Sequence, residues 1–205
     1  MPLVYQQNIN AVTKMGVWHI KEAEDFFLQQ VPLQKEITHW HKRLQHLAGR
    51  FLLKELYSDF PLELIKIAST RKPFLEDELY HFSISHCGDY AAVVVSKGFR
   101  VGVDIELVTP KVEKIIHKFL SPQEQLLLPV IEMYKTATLF WCVKEAVYKW
   151  KGLGGVDFIR HINIVEVTDK QGEGVVQCFF NNELPLQVHY LSFNNNFLTW
   201  VLTLH

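Results

Sequence analysis

The stretch Val101-Gly102-Val103-Asp104-Ile105-Glu106 constrains the fold more than any other. Its β-branched residues at alternate positions favour a strand. Successive strand side chains take opposite faces, so Val101, Val103 and Ile105 share an apolar face while Asp104 and Glu106 share the other. Two carboxylates so placed repel each other unless water or a cation lies between them. Hard oxygen donors at that spacing suit Mg²⁺, which takes one or two protein carboxylates and completes its shell with water and phosphate oxygens. The ordinary alternative is a solvent-facing edge strand carrying two charges.

A second segment, Phe140 to Lys149, reads as a helix. Trp141, Glu145 and Lys149 recur at i, i+4 and form one stripe on it. A solvated Glu–Lys pair would explain the last two, but Trp141 on the same stripe argues that this face is partly covered. The helix is expected over Thr136 to Lys151, ending at the glycines Gly152, Gly154 and Gly155. Ser121-Pro122-Gln123-Glu124 marks another helix start, with a Ser cap, Pro in the first position and Glu three residues after the cap.

Upstream, apolar residues Ile37, Trp40, Leu44, Leu47, Phe51 and Leu52 recur at helical spacing and predict a helix from about Leu33 to Ser58, with Lys35, Lys42, Arg43 and Arg50 among them. His81–Ser85 and Tyr90–Ser96 read as strands around a turn at His86-Cys87-Gly88-Asp89. A hydroxyl and an imidazole at Ser85 and His86 could grip a phosphate, and a turn-capping Ser beside an exposed His is the plainer reading. Phe158 to Leu204 is strand-rich. Its closing pattern, Val188-His-Tyr-Leu-Ser, three Asn residues and Phe197-Leu-Thr-Trp-Val-Leu-Thr, repeats the earlier strand–turn–strand. Two related halves, 1–98 and 99–205, would produce that echo.

The composition excludes several classes. Forty-eight percent hydrophobic residues with a formal charge of −1 describe a folded chain, and near-neutrality argues against broad binding to nucleic acid. No apolar run reaches the length of a membrane span, and no secretory signal is recognised at the N-terminus. The three cysteines are odd in number and lack C-x-x-C spacing, so a reducing cytoplasm is the expected compartment.

Taken in order, these segments resemble one family, the Sfp-type 4′-phosphopantetheinyl transferases. The resemblance runs from Lys42-Arg43 and Gly49-Arg50 through Arg71-Lys72-Pro73-Phe74, Phe82–His86 and Gly102–Glu106 to Phe119–Glu124 and Trp141–Lys149. It implies an α+β fold of two similar α/β halves related by a pseudo-twofold axis, with coenzyme A and Mg²⁺ (or Mn²⁺) bound in the cleft between them. It also implies a reaction: 4′-phosphopantetheine moves from coenzyme A to a serine hydroxyl of an apo acyl, peptidyl or aryl carrier protein, and adenosine 3′,5′-bisphosphate leaves.

By the same resemblance Asp104, Glu106 and Glu145 are the metal carboxylates, and Glu145 accepts the serine proton, directly or through water. Lys149 holds a diphosphate oxygen, with Lys144 a weaker candidate beside it. Lys42, Arg50, Lys72, Ser85 and His86 contact the nucleotide and phosphates of coenzyme A. Glu124 is left out because its capping box accounts for it. Phe51 departs from the pattern, since some members place a phosphate-binding hydroxyl there. Asp104 and Glu145 are expected to face solvent, and a monomer is expected. Two other readings stay open: a different Mg²⁺-dependent phosphotransferase, which the lack of a Gly-rich phosphate loop disfavours, and a non-catalytic module that binds coenzyme A or a carrier protein.

Overall fold

A computed structural model describes residues 2–33, 37–152 and 154–204. The chain divides into two compact units, one of residues 2–101 with 203–204 and the other of residues 102–202.

The first unit opens with β1 (Leu3–Asn10), β2 (Thr13–His19), α1 (Glu24–Leu28) and α2 (Trp40–Leu56). The short β3 (Lys66–Ile67) and β4 (Pro73–Phe74) pair with each other. The hairpin β5 (His81–Cys87) and β6 (Tyr90–Ser96) follows, and the antiparallel sheet has the order β1-β2-β6-β5. Helix α2 closes one face of it by burying Leu47, Ala48, Phe51, Leu52 and Leu53 against Phe82, Ala91, Val93 and Val95. Each large apolar side chain so buried contributes about 1.5–3 kcal/mol.

Helix α2 begins at Trp40, later than the expected Leu33. His39 caps it by accepting the Lys42 amide, and Ile37 stands outside the helix although it continues the apolar spacing. Trp40 itself is 63% exposed, so the two residues that stretched the apparent stripe are not part of the core face. Lys35, also read into that helix, lies outside the described residues. The helix ends at Leu56, and the Tyr57 amide caps back to Leu53.

The second unit is built on β7 (Phe99–Leu107), which starts in the first. A 3₁₀ segment, Pro110–Ile115, leads into α3 (Ile116–Phe119), α4 (Pro122–Gln125) and α5 (Met133–Lys151). Then come α6 (Phe158–His161), β8 (Ile162–Lys170), β9 (Glu173–Phe180), β10 (Leu184–Phe193) and β11 (Asn196–Leu204), with sheet order β7-β11-β10-β9-β8. Helix α5 starts one turn before the expected Thr136, and Gly152 ends it in the left-handed conformation at φ 74°. The Ser121 box forms as expected: Ser121 Oγ accepts the Glu124 amide at 3.2 Å and Glu124 accepts the Ser121 amide at 2.8 Å.

The fold is α+β, and a connectivity recurs within it. In the first unit β2, α2 and the hairpin β5–β6 give the order β2-β6-β5. In the second, β7, α5 and the hairpin β10–β11 give β7-β11-β10. In both, the last strand returns between its hairpin partner and the strand that precedes the helix. The two hairpins of the sequence echo, β5–β6 and β10–β11, occupy corresponding places in this connectivity. Among the described residues no helix is long and apolar enough to cross a membrane.

Candidate active site on β7 and α5

Gly102, Asp104 and Glu106 alternate along β7 and share one face. A Cβ at Gly102 would lie 2.1 Å from the Ala146 carbonyl oxygen and 2.7 Å from the Trp150 amide nitrogen. The missing side chain therefore lets the α5 backbone lie directly on β7. That contact brings the Trp141–Glu145–Lys149 stripe over the carboxylates. Trp141 Nε1 donates to Glu106 Oε1 at 3.1 Å, and Lys149 Nζ lies 2.5 Å from Asp104 Oδ1.

The electrostatics follow from that packing. Burial, with the neighbouring Asp104 charge, pushes the Glu106 carboxyl up to about 7, and the Trp141 N–H and Lys149 offset only part of this. Burial and Asp104 also raise Glu145. Burial opposes charge on Lys149, yet Asp104 and Glu145 hold its ammonium above the usual lysine range. Three carboxylates thus share a partly desolvated place with one ammonium. Asp104 is only 2% exposed, so the expectation that it faces solvent is corrected: the α5 side chains Lys149 and Cys142 lie against it. Glu145 is half-buried.

Among the described residues no three His, Cys, Asp or Glu side chains converge into a ready metal site. The donors nevertheless fit a hard divalent cation. They are carboxylate oxygens, they outnumber the local cation, and Mg²⁺ needs only one or two of them when substrate oxygens and water complete its shell. A cavity of ≈ 220 Å³ adjoins the site, lined in part by Glu106, Trp141, Val112, Ile115, Thr138 and Lys111.

Lys144 does not reach this site. It is fully buried, bonded to Glu124 and to the carbonyls of Phe158 and Ile162. Its candidacy as a phosphate contact is therefore corrected. One residue along a helix is a rotation of about 100°, which turns Lys144 away from the Glu145 stripe and into the core with Phe140 and Val147. Glu124 does more than cap, since it is also the buried partner of Lys144. The sequence held a signal for the burial of Lys144, which interrupts the apolar stripe Ala137, Phe140, Val147, but none for its partner.

In the first unit, Lys42, His46 and Arg50 recur at four-residue spacing on α2. Lys42 is exposed, whereas Arg50 is 6% exposed and donates from a terminal guanidinium nitrogen to His46 Nδ1 at 3.1 Å. The Arg50 Nε is buried without a hydrogen-bond partner among the described residues, and burial lowers the guanidinium to about 10. Phe51 packs into the core at 4% exposure. Lys72 is lowered to about 8 by burial and by Arg100, a neighbour that spacing in the sequence did not reveal. Ser85 is buried and His86 exposed. They are consecutive in β5, so they point to opposite faces, and the turn is confined to Gly88-Asp89. The structure does not gather that hydroxyl and imidazole onto one surface.

The model of the 4′-phosphopantetheinyl transferase superfamily matches residues 100–204, half of the chain, including every residue of the β7–α5 site. The chain belongs to this superfamily. A putative 4′-phosphopantetheinyl transferase of Haemophilus influenzae is 30% identical to this transferase-family chain over 161 residues, 72% of the chain and 67% of that protein. The 4′-phosphopantetheinyl transferase AcpT of Escherichia coli O157:H7 is 28% identical over 125 residues, covering 58% and 64%. Enterobactin synthase component D of Salmonella typhi is 30% identical over 113 residues, covering 53% and 47%. The matched part of the family member thus spans between about half and two thirds of these relatives. Lys42, Arg50, Lys72, Ser85 and His86 lie outside the segment matched by the family model.

Proposed function

We propose that this chain transfers 4′-phosphopantetheine from coenzyme A to a serine hydroxyl of an apo carrier protein. The observation that carries the reading is the packing of α5 on Gly102, which sets Glu145 and Lys149 against Asp104 and Glu106 in the segment that matches the superfamily.

In this reading the serine oxygen attacks the phosphorus that bears the pantetheine. The bond from that phosphorus to the bridging oxygen breaks, and its electron pair leaves with adenosine 3′,5′-bisphosphate. Glu145 accepts the hydroxyl proton. Burial and the Asp104 charge raise its pKa, which makes it a stronger base than an ordinary carboxylate. Lys149 presents a fixed ammonium to the diphosphate as charge develops on the leaving group. Trp141 orients Glu106 through its indole N–H. Asp104 and Glu106, with Glu145, would hold Mg²⁺ or Mn²⁺, which supplies charge neutralisation at the diphosphate.

Lys42, Arg50, Lys72, Ser85 and His86 would contact the nucleotide and phosphates of coenzyme A, with Ser85 and His86 acting from opposite faces of β5 and not as one joint grip. The buried Arg50 Nε and the Lys72–Arg100 pair of cations support an anion on this unit. We further propose a cytoplasmic monomer that meets neither nucleic acid nor membrane.

Intact-mass analysis of a panel of apo carrier proteins after incubation with coenzyme A and Mg²⁺ tests the reading. One pantetheinyl group should be added to at least one acceptor. It should be lost with EDTA and absent from an acceptor whose modified serine is replaced by alanine. Addition that survives the alanine replacement would overturn the serine assignment.

A further inference from the structure

The transfer reading gives Glu124 and Lys144 no chemical step, yet the two form a buried ion pair whose polar atoms are bonded on several sides. Lys144 is 0% and Glu124 2% exposed. Lys144 Nζ lies 2.7 Å from Glu124 Oε1 and 2.9 Å from Oε2, and it donates to the Phe158 and Ile162 carbonyls at 2.8 Å each. Glu124 Oε2 accepts the Ser121 amide at 2.8 Å, and Oε1 accepts the Ile164 amide at 2.9 Å. One ion pair therefore ties α5 to the start of α4, to both ends of α6 and to β8.

We infer that the Glu124–Lys144 pair is a positioning device that fixes the rotation of α5 and so aims Glu145. The inference rests on the proposed role of Glu145. Apolar packing alone is a poor rotational lock, because it is non-directional. Hydrogen bonds to oxygens fixed on other elements are directional. Lys144 precedes Glu145 directly, so pinning the first inward sets the second about 100° round the helix. On that side Trp141 reaches Glu106 and Lys149 reaches Asp104. A slip of roughly 20° would carry a side-chain end about 5.5 Å from the helix axis through roughly 2 Å. Misplacement of about 1 Å already costs about a hundredfold in rate.

A buried ion pair is a poor explanation if stability were the only purpose, since an uncharged replacement of both partners is often neutral or stabilising. That difference makes the inference testable. Glu124→Gln, Lys144→Met and the double variant should be compared with wild type for melting temperature, for kcat and KM for coenzyme A well below each melting temperature, and for amide exchange across Trp141–Lys149. Each single variant should melt lower, and the double should recover much of that loss. All three should lose about 10- to 100-fold in kcat while KM stays within about twofold, and exchange across the segment should quicken. A folded double variant with wild-type kcat would overturn the inference. If Lys144→Met alone does not fold, Glu124→Gln and the double decide it. A wild-type chain that transfers nothing refutes the transfer reading, and the clamp is then judged on exchange, with unchanged exchange in the double variant overturning it.

Discussion

Gly102→Ala is the perturbation whose consequence can be worked most directly from the packing. The new Cβ would sit 2.1 Å from the Ala146 carbonyl oxygen, where ordinary contact begins at 3.4 Å. Both the strand and the helix meet here through backbone, so no flexible side chain can swing away. The two elements must separate by about 1.3 Å or distort, and overpacking of this kind costs about 1–3 kcal/mol. For a chain of this size each kcal/mol lowers the melting temperature by about 2–4 °C, so a fall of about 2–12 °C is expected. The same displacement carries Glu145 and Lys149 away from Asp104 and Glu106, so transfer should fall about a hundredfold or more. Gly98→Ala is the control, because its Cβ would meet only Val12 Cγ2 at 3.9 Å. Thermal melts and initial rates on one acceptor, measured for both variants, are sufficient. A Gly102→Ala chain with wild-type melting and rate would show that α5 does not depend on this contact.

Lys149→Ala should slow transfer by orders of magnitude if, as proposed, the ammonium meets the diphosphate in a partly desolvated site; an exposed helix pair would contribute only about 0.3–0.5 kcal/mol to stability and nothing to rate. Glu106, whose carboxyl rises from 4.5 to about 7 on folding, holds its proton in the folded chain over that window, so its contribution to stability is present below about 4.5 and lost as pH rises through about 7. Melting temperatures in EDTA should therefore fall more steeply from pH 4.5 to 7 in wild type than in Glu106→Gln, and equal slopes would refute the assignment. Arg50→Ala should shrink the preference for coenzyme A over dephospho-coenzyme A. Each lost charge-assisted bond is worth about 1.5–3 kcal/mol, and an unchanged preference by calorimetric titration would remove Arg50 from the 3′-phosphate site.

The parts legible in the sequence were those set by local rules. Strand alternation separated Asp104 and Glu106 from Val101, Val103 and Ile105, and the i, i+4 spacing put Trp141, Glu145 and Lys149 together. The Ser121 box and the Gly152 end followed from capping chemistry. Tertiary choices were not legible. The apolar spacing of α2 continued through Ile37 and Trp40, and only packing shows that neither belongs to its core face. Lys144 was a candidate phosphate contact through the resemblance alone, and its partner Glu124 lies twenty residues away on another helix. Gly102 was visible as part of a motif, but its reason, the close approach of α5, exists only in the folded chain. Asp104 looked solvated for the same reason: nothing in β7 announces the helix that covers it.

The central claim is that the β7–α5 carboxylates carry out pantetheinyl transfer. The most direct measurement is an intact-mass time course of one apo carrier protein with coenzyme A and Mg²⁺, run with wild type, Asp104→Ala and Glu145→Gln. Each variant is checked for folding by circular dichroism, since Asp104 is buried. The account predicts addition of one pantetheinyl group by wild type and none by either folded variant on the same timescale. Addition at the wild-type rate by folded Glu145→Gln or Asp104→Ala would contradict it.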